Sequence, residues 1–121
     1  MNHTRTERLI LRQFTEQDTN TLFLIMKDKE VNTFLPVFPL ENIEETKIYL
    51  QNKYLENYSQ RKGFYYAICL KEDNIPIGYV HVSGDDSHDL GYGLRKEFWH
   101  KGIVSEACKA IVEIVKKAPI P

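Results

Sequence analysis

Residues 89–107 read DLGYGLRKEFWHKGIVSEA, and the fold turns on this run. It passes from a strand-like segment, Asp89 to Arg95, through a short charged link into Lys101-Gly102 and then into an amphipathic helix. The first N–H groups of a helix have no intrahelical partners, and a glycine beside them permits close approach, so such a junction seats a phosphate. The strand leading in leaves backbone groups beside that seat. Together they suit a ligand with one anionic end and one extended, amide-bearing end.

Working outward, the helix is expected over about His100 to Lys117. Ile103, Val104, Ala107, Cys108, Ile111, Ile114 and Val115 share one broad face, and Glu106, Lys109, Glu113, Lys116 and Lys117 occupy the rest. Lys116 and Lys117 complement the negative end of the helix dipole, and Pro119 and Pro121 stop the helix. Upstream, GFYYAICLK and IPIGYVHVSG flank the polar turn EDN, which predicts an antiparallel hairpin. The turn-like DDSH then leads into the strand that opens the run.

Nearer the N-terminus, RLILRQF (8–14) sets Leu9 and Leu11 against Arg8, Ile10 and Arg12, a first strand. Thr15 with Asp18 resembles a capping box and starts a helix from about Glu16 to Lys27, burying Leu22, Phe23, Ile25 and Met26. Asn42 with Glu45 starts a second, to about Ser59, with Ile43, Ile48, Tyr54, Leu55 and Tyr58 as its buried stripe. Between them, VNTFLPVFPL carries Pro36 and Pro39, so no regular helix runs through it. Its Phe34, Leu35, Val37 and Phe38 form either a loop covering the core, the favoured reading, or a pocket wall. The predicted order is β-α-α-β-β-β-α: an α+β chain, mainly antiparallel, with flanking helices.

Composition narrows the function classes. A chain of 121 residues, 42% hydrophobic and 27% charged, fits one soluble domain spanning 1–121. A net charge of −1 gives no electrostatic case for nucleic acid or an acidic membrane. No apolar run reaches membrane-spanning length, and MNHTRTER lacks the apolar core of a signal peptide. Cys69 and Cys108 match no metal spacing and read as buried free thiols, which suits the cytoplasm; no metal is expected. Gly91-x-Gly93 lacks the third glycine of a dinucleotide fingerprint, and no Walker A loop is present.

The opening TERLILRQF and the run IPIGYV…LGYGLRKEFWHKGIVSEA resemble the GNAT N-acetyltransferases, in particular the branch related to ribosomal-protein acetyltransferases. The likeness extends over essentially the whole chain. It implies the N-terminal part of an acyl-CoA N-acyltransferase fold, with the family's acetyl-CoA loop on Trp99 to Ala107. His100 stands where a glycine is common, and Val104 where a small residue is common; a Cβ at either crowds the pyrophosphate if the backbone turns sharply there. Val104 also reads simply as helix packing, and Lys101 as either a phosphate contact or a solvated lysine.

The resemblance implies a cofactor site and a reaction. Acetyl-CoA would lay its pyrophosphate on the N–H groups of His100, Lys101, Gly102, Ile103, Val104 and Ser105. Its pantetheine would bond the backbone of Gly93, Leu94 and Arg95 like an added strand. A primary amine, of pKa ~10 and so protonated at neutral pH, requires a base before it attacks the thioester. The candidates are His81 on the third strand and Asp89 at the start of the fourth, the latter acting directly or through water. Asp85 and Asp86 join Asp89 in attracting a cationic amine. Each has a plainer reading: a core histidine, a turn carboxylate, and for Glu97 a solvated link residue.

Family members continue past this helix with a fifth strand, a further helix and two closing strands, and the usual general acid comes from there. The expectation is therefore a C-terminally truncated domain with weak turnover, which self-associates through an open sheet edge. The other class of function to keep in view is a non-catalytic CoA-binding or protein-interaction module.

Overall fold

The computed structural model describes residues 3–32, 40–84 and 89–117. Five strands form one antiparallel sheet in sequence order: β1 (His3–Arg5), β2 (Leu9–Arg12), β3 (Phe64–Leu70), β4 (Pro76–Val82) and β5 (Leu90–Leu94). Helix α1 (Thr19–Met26) follows a 3-10 turn at Glu16–Asp18. A continuous helical rod then runs through α2 (Ile43–Tyr49), a π segment (Leu50–Leu55) and α3 (Glu56–Gln60). Helix α4 (Ile103–Lys117) closes the described chain. The order is β-β-α-α-β-β-β-α once the rod is counted as one helix, so β1 is an addition to the expected order.

The sheet is covered on both faces. Ile10, Tyr65, Ala67, Cys69 and Tyr79 join Phe14, Leu22, Ile25, Met26, Leu50 and Tyr54 in one core beneath the first helices. Leu9, Leu11, Ile68, Val80, Val82 and Leu94 face Ile103, Ala107 and Ile111 of α4 in the other. Alternation across a strand explains both sets. It also corrects the expectation for β2: Ile10 lies with neither Arg8 nor solvent but inside the first core, because that face too is roofed by helices.

The predicted caps form. Thr15 N–H donates to Asp18 Oδ2 at 2.8 Å, and Arg12 grips the same carboxylate through Nη1 at 2.8 Å and Nη2 at 3.0 Å. Asn42 Oδ1 accepts from Glu45 N–H at 2.8 Å, while Glu45 Oε1 accepts from Glu41 N–H at 2.8 Å. The stripe of the second helix is partly different from expectation. The π segment shifts the helix phase, so Leu50 and Tyr54 point into the core while Ile48 is 63% exposed.

The apolar loop residues Phe34 to Pro39, with Asp85, Asp86 and the segment after Lys117, lie outside the described residues. Among those described, no helix is long and apolar enough to cross a membrane, and no group of three metal-ligating side chains occurs. Cys69 is buried and Cys108 half-buried; both are free, and burial pushes both thiols up, Cys69 to about 12.

Candidate active site

Strand β5 pairs only with β4 among the described residues, so its other side is an edge. The Arg95 N–H donates to the Ile77 carbonyl at 3.0 Å, and the Ser83 N–H to the Asp89 carbonyl at 3.0 Å. Hydrogen-bonded positions alternate along an antiparallel pair. With Tyr79 opposite Gly93 and His81 opposite Gly91, the backbone groups of Gly91, Gly93 and Arg95 turn toward β4. Those of Leu90, Tyr92 and Leu94 turn outward. Of Gly93, Leu94 and Arg95, expected together along a ligand, only Leu94 turns its backbone groups to the edge, and Tyr92 joins it. The Leu94 carbonyl accepts the Trp99 indole N–H at 2.7 Å, so its N–H is the group left facing outward.

Gly91 and Gly93 serve the opposite face instead. A Cβ on Gly93 would lie 2.5 Å from the Tyr79 ring, and one on Gly91 would lie 2.5 Å from His81 Nε2. The missing side chains admit an aromatic stack on β4, where the Tyr79 and His81 rings lie 6.0 Å apart and nearly parallel. Tyr79 donates its hydroxyl to Asn32 Oδ1 at 2.9 Å, and Asn32 in turn donates to the Ile25 and Asp28 carbonyls, which fixes the stack to the end of α1.

His81 is 8% exposed, and its Nδ1 has no hydrogen-bond partner among the described residues. Burial, helped by the positive charge of Lys53, holds its imidazole down at about 4. It is therefore neutral at pH 7 but a weak base, poorly matched to an ammonium group of pKa ~10. Asp89 is exposed just ahead of β5, its N–H donating to Ser83 Oγ at 3.0 Å. The pairing of Asp89 with Ser83 continues the register, so Asp89 falls on the sheet face that carries His81 and Tyr79.

Beyond β5 the chain makes a 3-10 turn at Lys96–Phe98 and enters α4 at Ile103, three residues later than the expected start at His100. His100 and Gly102 both have left-handed backbones, at φ 64° and 76°. Position 100, where the resemblance expects a glycine, thus adopts the conformation that glycine holds without strain. The Glu106 N–H donates to the Gly102 carbonyl at 3.1 Å, which makes Gly102 the residue that caps α4 without a side chain. The N–H groups of Ile103, Val104 and Ser105 head the helix with no intrahelical acceptor. Ile103 is buried and Val104 packs on the second core, which gives Val104 the packing role; Ser105 is exposed. The Lys101 ammonium lies 5.9 Å from the centre of the Phe98 ring.

Sequence reasoning missed a clip behind this turn. Glu106 accepts the Thr6 hydroxyl, the Arg8 N–H at 2.9 Å and Arg8 Nε at 2.7 Å, and Arg8 Nη1 donates to the Lys101 carbonyl at 2.8 Å. Burial pushes the Glu106 carboxyl up, but these hydrogen bonds outweigh it and hold the group below its usual range. The signal was present in the polar residues of TERL and SEA, which strand and helix periodicity assign to solvent. On the far side of the link, Arg95, Lys96 and Glu97 meet Lys27 and Asp28 around a cleft of about 300 Å³. Lys96 bridges Glu30 at 3.1 Å and Asp28 at 3.5 Å, and Arg95 bonds Glu97 at 2.7 Å.

Residues 8–120 match the family described as acetyltransferase (GNAT) domain. An uncharacterized N-acetyltransferase of Bacillus subtilis, YoaA, is 28% identical over 111 residues, 88% of this chain and 62% of that protein. The uncharacterized N-acetyltransferase p20 of Bacillus licheniformis is 27% identical over 115 residues, 89% of this chain and 62% of that protein. The chain thus spans about three fifths of the length of these curated relatives. Among solved structures, a GNAT-family acetyltransferase from Bacillus anthracis superposes with a TM-score of 0.73 at 20% identity, covering 92% of this chain and 64% of that one. The ribosomal L7/L12 alpha-N-protein acetyltransferase RimL, in complex with coenzyme A, gives 0.74 at 22% identity, covering 90% and 64%. These likenesses establish the fold.

Proposed function

From the premise that this chain belongs to the GNAT acetyltransferase family, we propose that it forms the acetyl-CoA-binding part of an N-acetyltransferase that acts on a primary amine. The observation that carries the reading is the continuity of one surface: the outward edge of β5 runs into a left-handed turn and then the N-terminus of α4. That surface offers backbone donors and acceptors for an extended, amide-bearing chain and a cluster of N–H groups for a pyrophosphate.

In this scheme the N–H groups of Ile103, Val104 and Ser105, joined by that of Gly102, hold the phosphates of acetyl-CoA. The edge groups of Tyr92 and Leu94 align its pantetheine arm. The neutral amine nitrogen attacks the thioester carbonyl carbon, the C–S bond breaks, and the leaving sulfur takes up the proton that the nitrogen sheds on acylation, so that coenzyme A departs as its thiol. An N–H on the β5 edge faces the carbonyl oxygen as it gains negative charge, a contribution usually large in acyl transfer. The proton of the ammonium form goes to a base; Asp89, on the same sheet face as His81 but exposed, fills that place by passing the proton on through water.

The rival is a module that binds coenzyme A without turnover. It is favoured by one observation: His81, one of the two stacked rings on β4, is too weak a base at about 4. Calorimetric titration with acetyl-CoA, combined with thiol release over a panel of peptides, polyamines and small amines, separates the two. Binding with amine-dependent thiol release supports the enzyme; binding without it supports the rival; absence of binding eliminates both.

A further inference from the structure

We propose that Arg8 is a positioning residue for the phosphate turn: by holding the Lys101 carbonyl it fixes the orientation of the peptide between Lys101 and Gly102. The inference rests on the acetyl-CoA reading above and concerns how that seat is kept in its binding form.

A trans peptide places its C=O and N–H on opposite sides of one plane. With the Lys101 carbonyl drawn to Arg8 Nη1 at 2.8 Å, the Gly102 N–H points away from the guanidinium. Turning this peptide over would change chiefly ψ of Lys101 and φ of Gly102. Gly102 is the residue that permits it, since glycine occupies positive and negative φ about equally. Its observed φ of 76° is therefore selected by contacts rather than imposed by its own sterics. The turned form replaces an N–H donor by a carbonyl acceptor beside the helix terminus, where an anion is repelled rather than held.

The rest of the clip makes Arg8 a firm anchor. Its Nε and backbone N–H both bond Glu106, on the first turn of the same helix. Thr6 donates to that carboxylate while its Oγ1 accepts the Leu9 N–H at 3.1 Å, tying the β1–β2 turn to the helix. Among the described residues, its two chain neighbours aside, a Cβ on Gly102 would come within 4 Å of Arg8 Nη2 alone, at 3.5 Å, so the guanidinium is the group that lies against this peptide. Glu106 aims Arg8, and Arg8 sets the turn.

The test compares the native chain with Arg8→Gln and Arg8→Lys. Backbone NMR measures the Gly102 H–N–Cα–H couplings in the free protein, and calorimetry measures affinity for coenzyme A and for dephosphorylated pantetheine. The expected result is a change in the Gly102 couplings in Arg8→Gln, a tenfold or greater loss of affinity for coenzyme A, and less than twofold change for pantetheine. Arg8→Lys, which keeps the charge but not the fork, is expected to behave like Arg8→Gln. Unchanged Gly102 couplings overturn the proposal, as does equal weakening toward both ligands, the mark of a general loss of structure. If the native chain binds no coenzyme A, the acetyltransferase reading fails. The lock is then judged by the couplings alone: altered couplings support it and unaltered ones overturn it.

Discussion

His81 shows how burial redirects a residue whose type suggests chemistry. Packed between Tyr65 and Tyr79 and opposite a glycine, its ring is held neutral, with its pKa lowered to about 4. The unfolded chain protonates this histidine near pH 6.5, whereas the folded chain resists until about pH 4. Folding stability from this site is therefore complete above pH 6.5 and declines as pH falls through that window, by up to about 3 kcal/mol. Asp18 and Glu106, whose folded values lie below the ordinary 3.8 and 4.5, contribute stability that is present above those ordinary values and is lost as pH falls from there through the folded ones. Denaturant unfolding at pH 7, 6, 5 and 4.5 should show this decline in the native protein and a flatter profile in His81→Gln. Parallel profiles for the two would refute the assignment.

At the scale of elements, β5 is an edge strand whose two glycines answer to its neighbour rather than to a ligand. Gly93→Ala drives a Cβ to 2.5 Å from the Tyr79 ring, which is pinned through Asn32 to α1. Overpacking of this kind costs about 1–3 kcal/mol. Thermal unfolding of Gly93→Ala should fall by several degrees, and a partial recovery in Gly93→Ala with Tyr79→Phe would identify the hydroxyl tether as the obstacle. An unchanged midpoint would show that the stack yields freely. Much of this architecture was legible in the residues themselves: the α4 stripe, the Asn42 and Thr15 caps and the β3–β4 hairpin rest on local periodicity and local hydrogen bonds. Other features depend on partners distant in sequence. The burial of Ile10 requires helices on both sheet faces, and the inward turn of Leu50 with the exposure of Ile48 requires the π segment. The outward set of Tyr92 and Leu94 requires the β4 register. The Glu106–Arg8 clip joins residues 98 apart, so no local pattern announces it.

For the whole molecule, the described sheet has one face under α1 to α3 and the other under α4, but the outer side of β5 carries unpaired backbone groups. Leu90 and Tyr92 on this strand are 46% and 54% exposed. An edge of this kind recruits further strands. We propose that this chain on its own self-associates through β5. Light scattering should give a mass above the 14.2 kDa of one chain, reduced by Tyr92→Lys; a monodisperse single chain at high concentration would refute it. The same surface is the proposed place of acetyl-CoA, so ligand and self-association should compete.

The central claim is that acetyl-CoA lies along β5 and ends on α4, and amide NMR during an acetyl-CoA titration tests it most directly. The account predicts saturable shifts at Tyr92, Leu94 and Gly102 to Ser105, with the phosphate-end group lost when pantetheine replaces the whole ligand. Saturable shifts confined to other surfaces, or none at millimolar ligand, would contradict it.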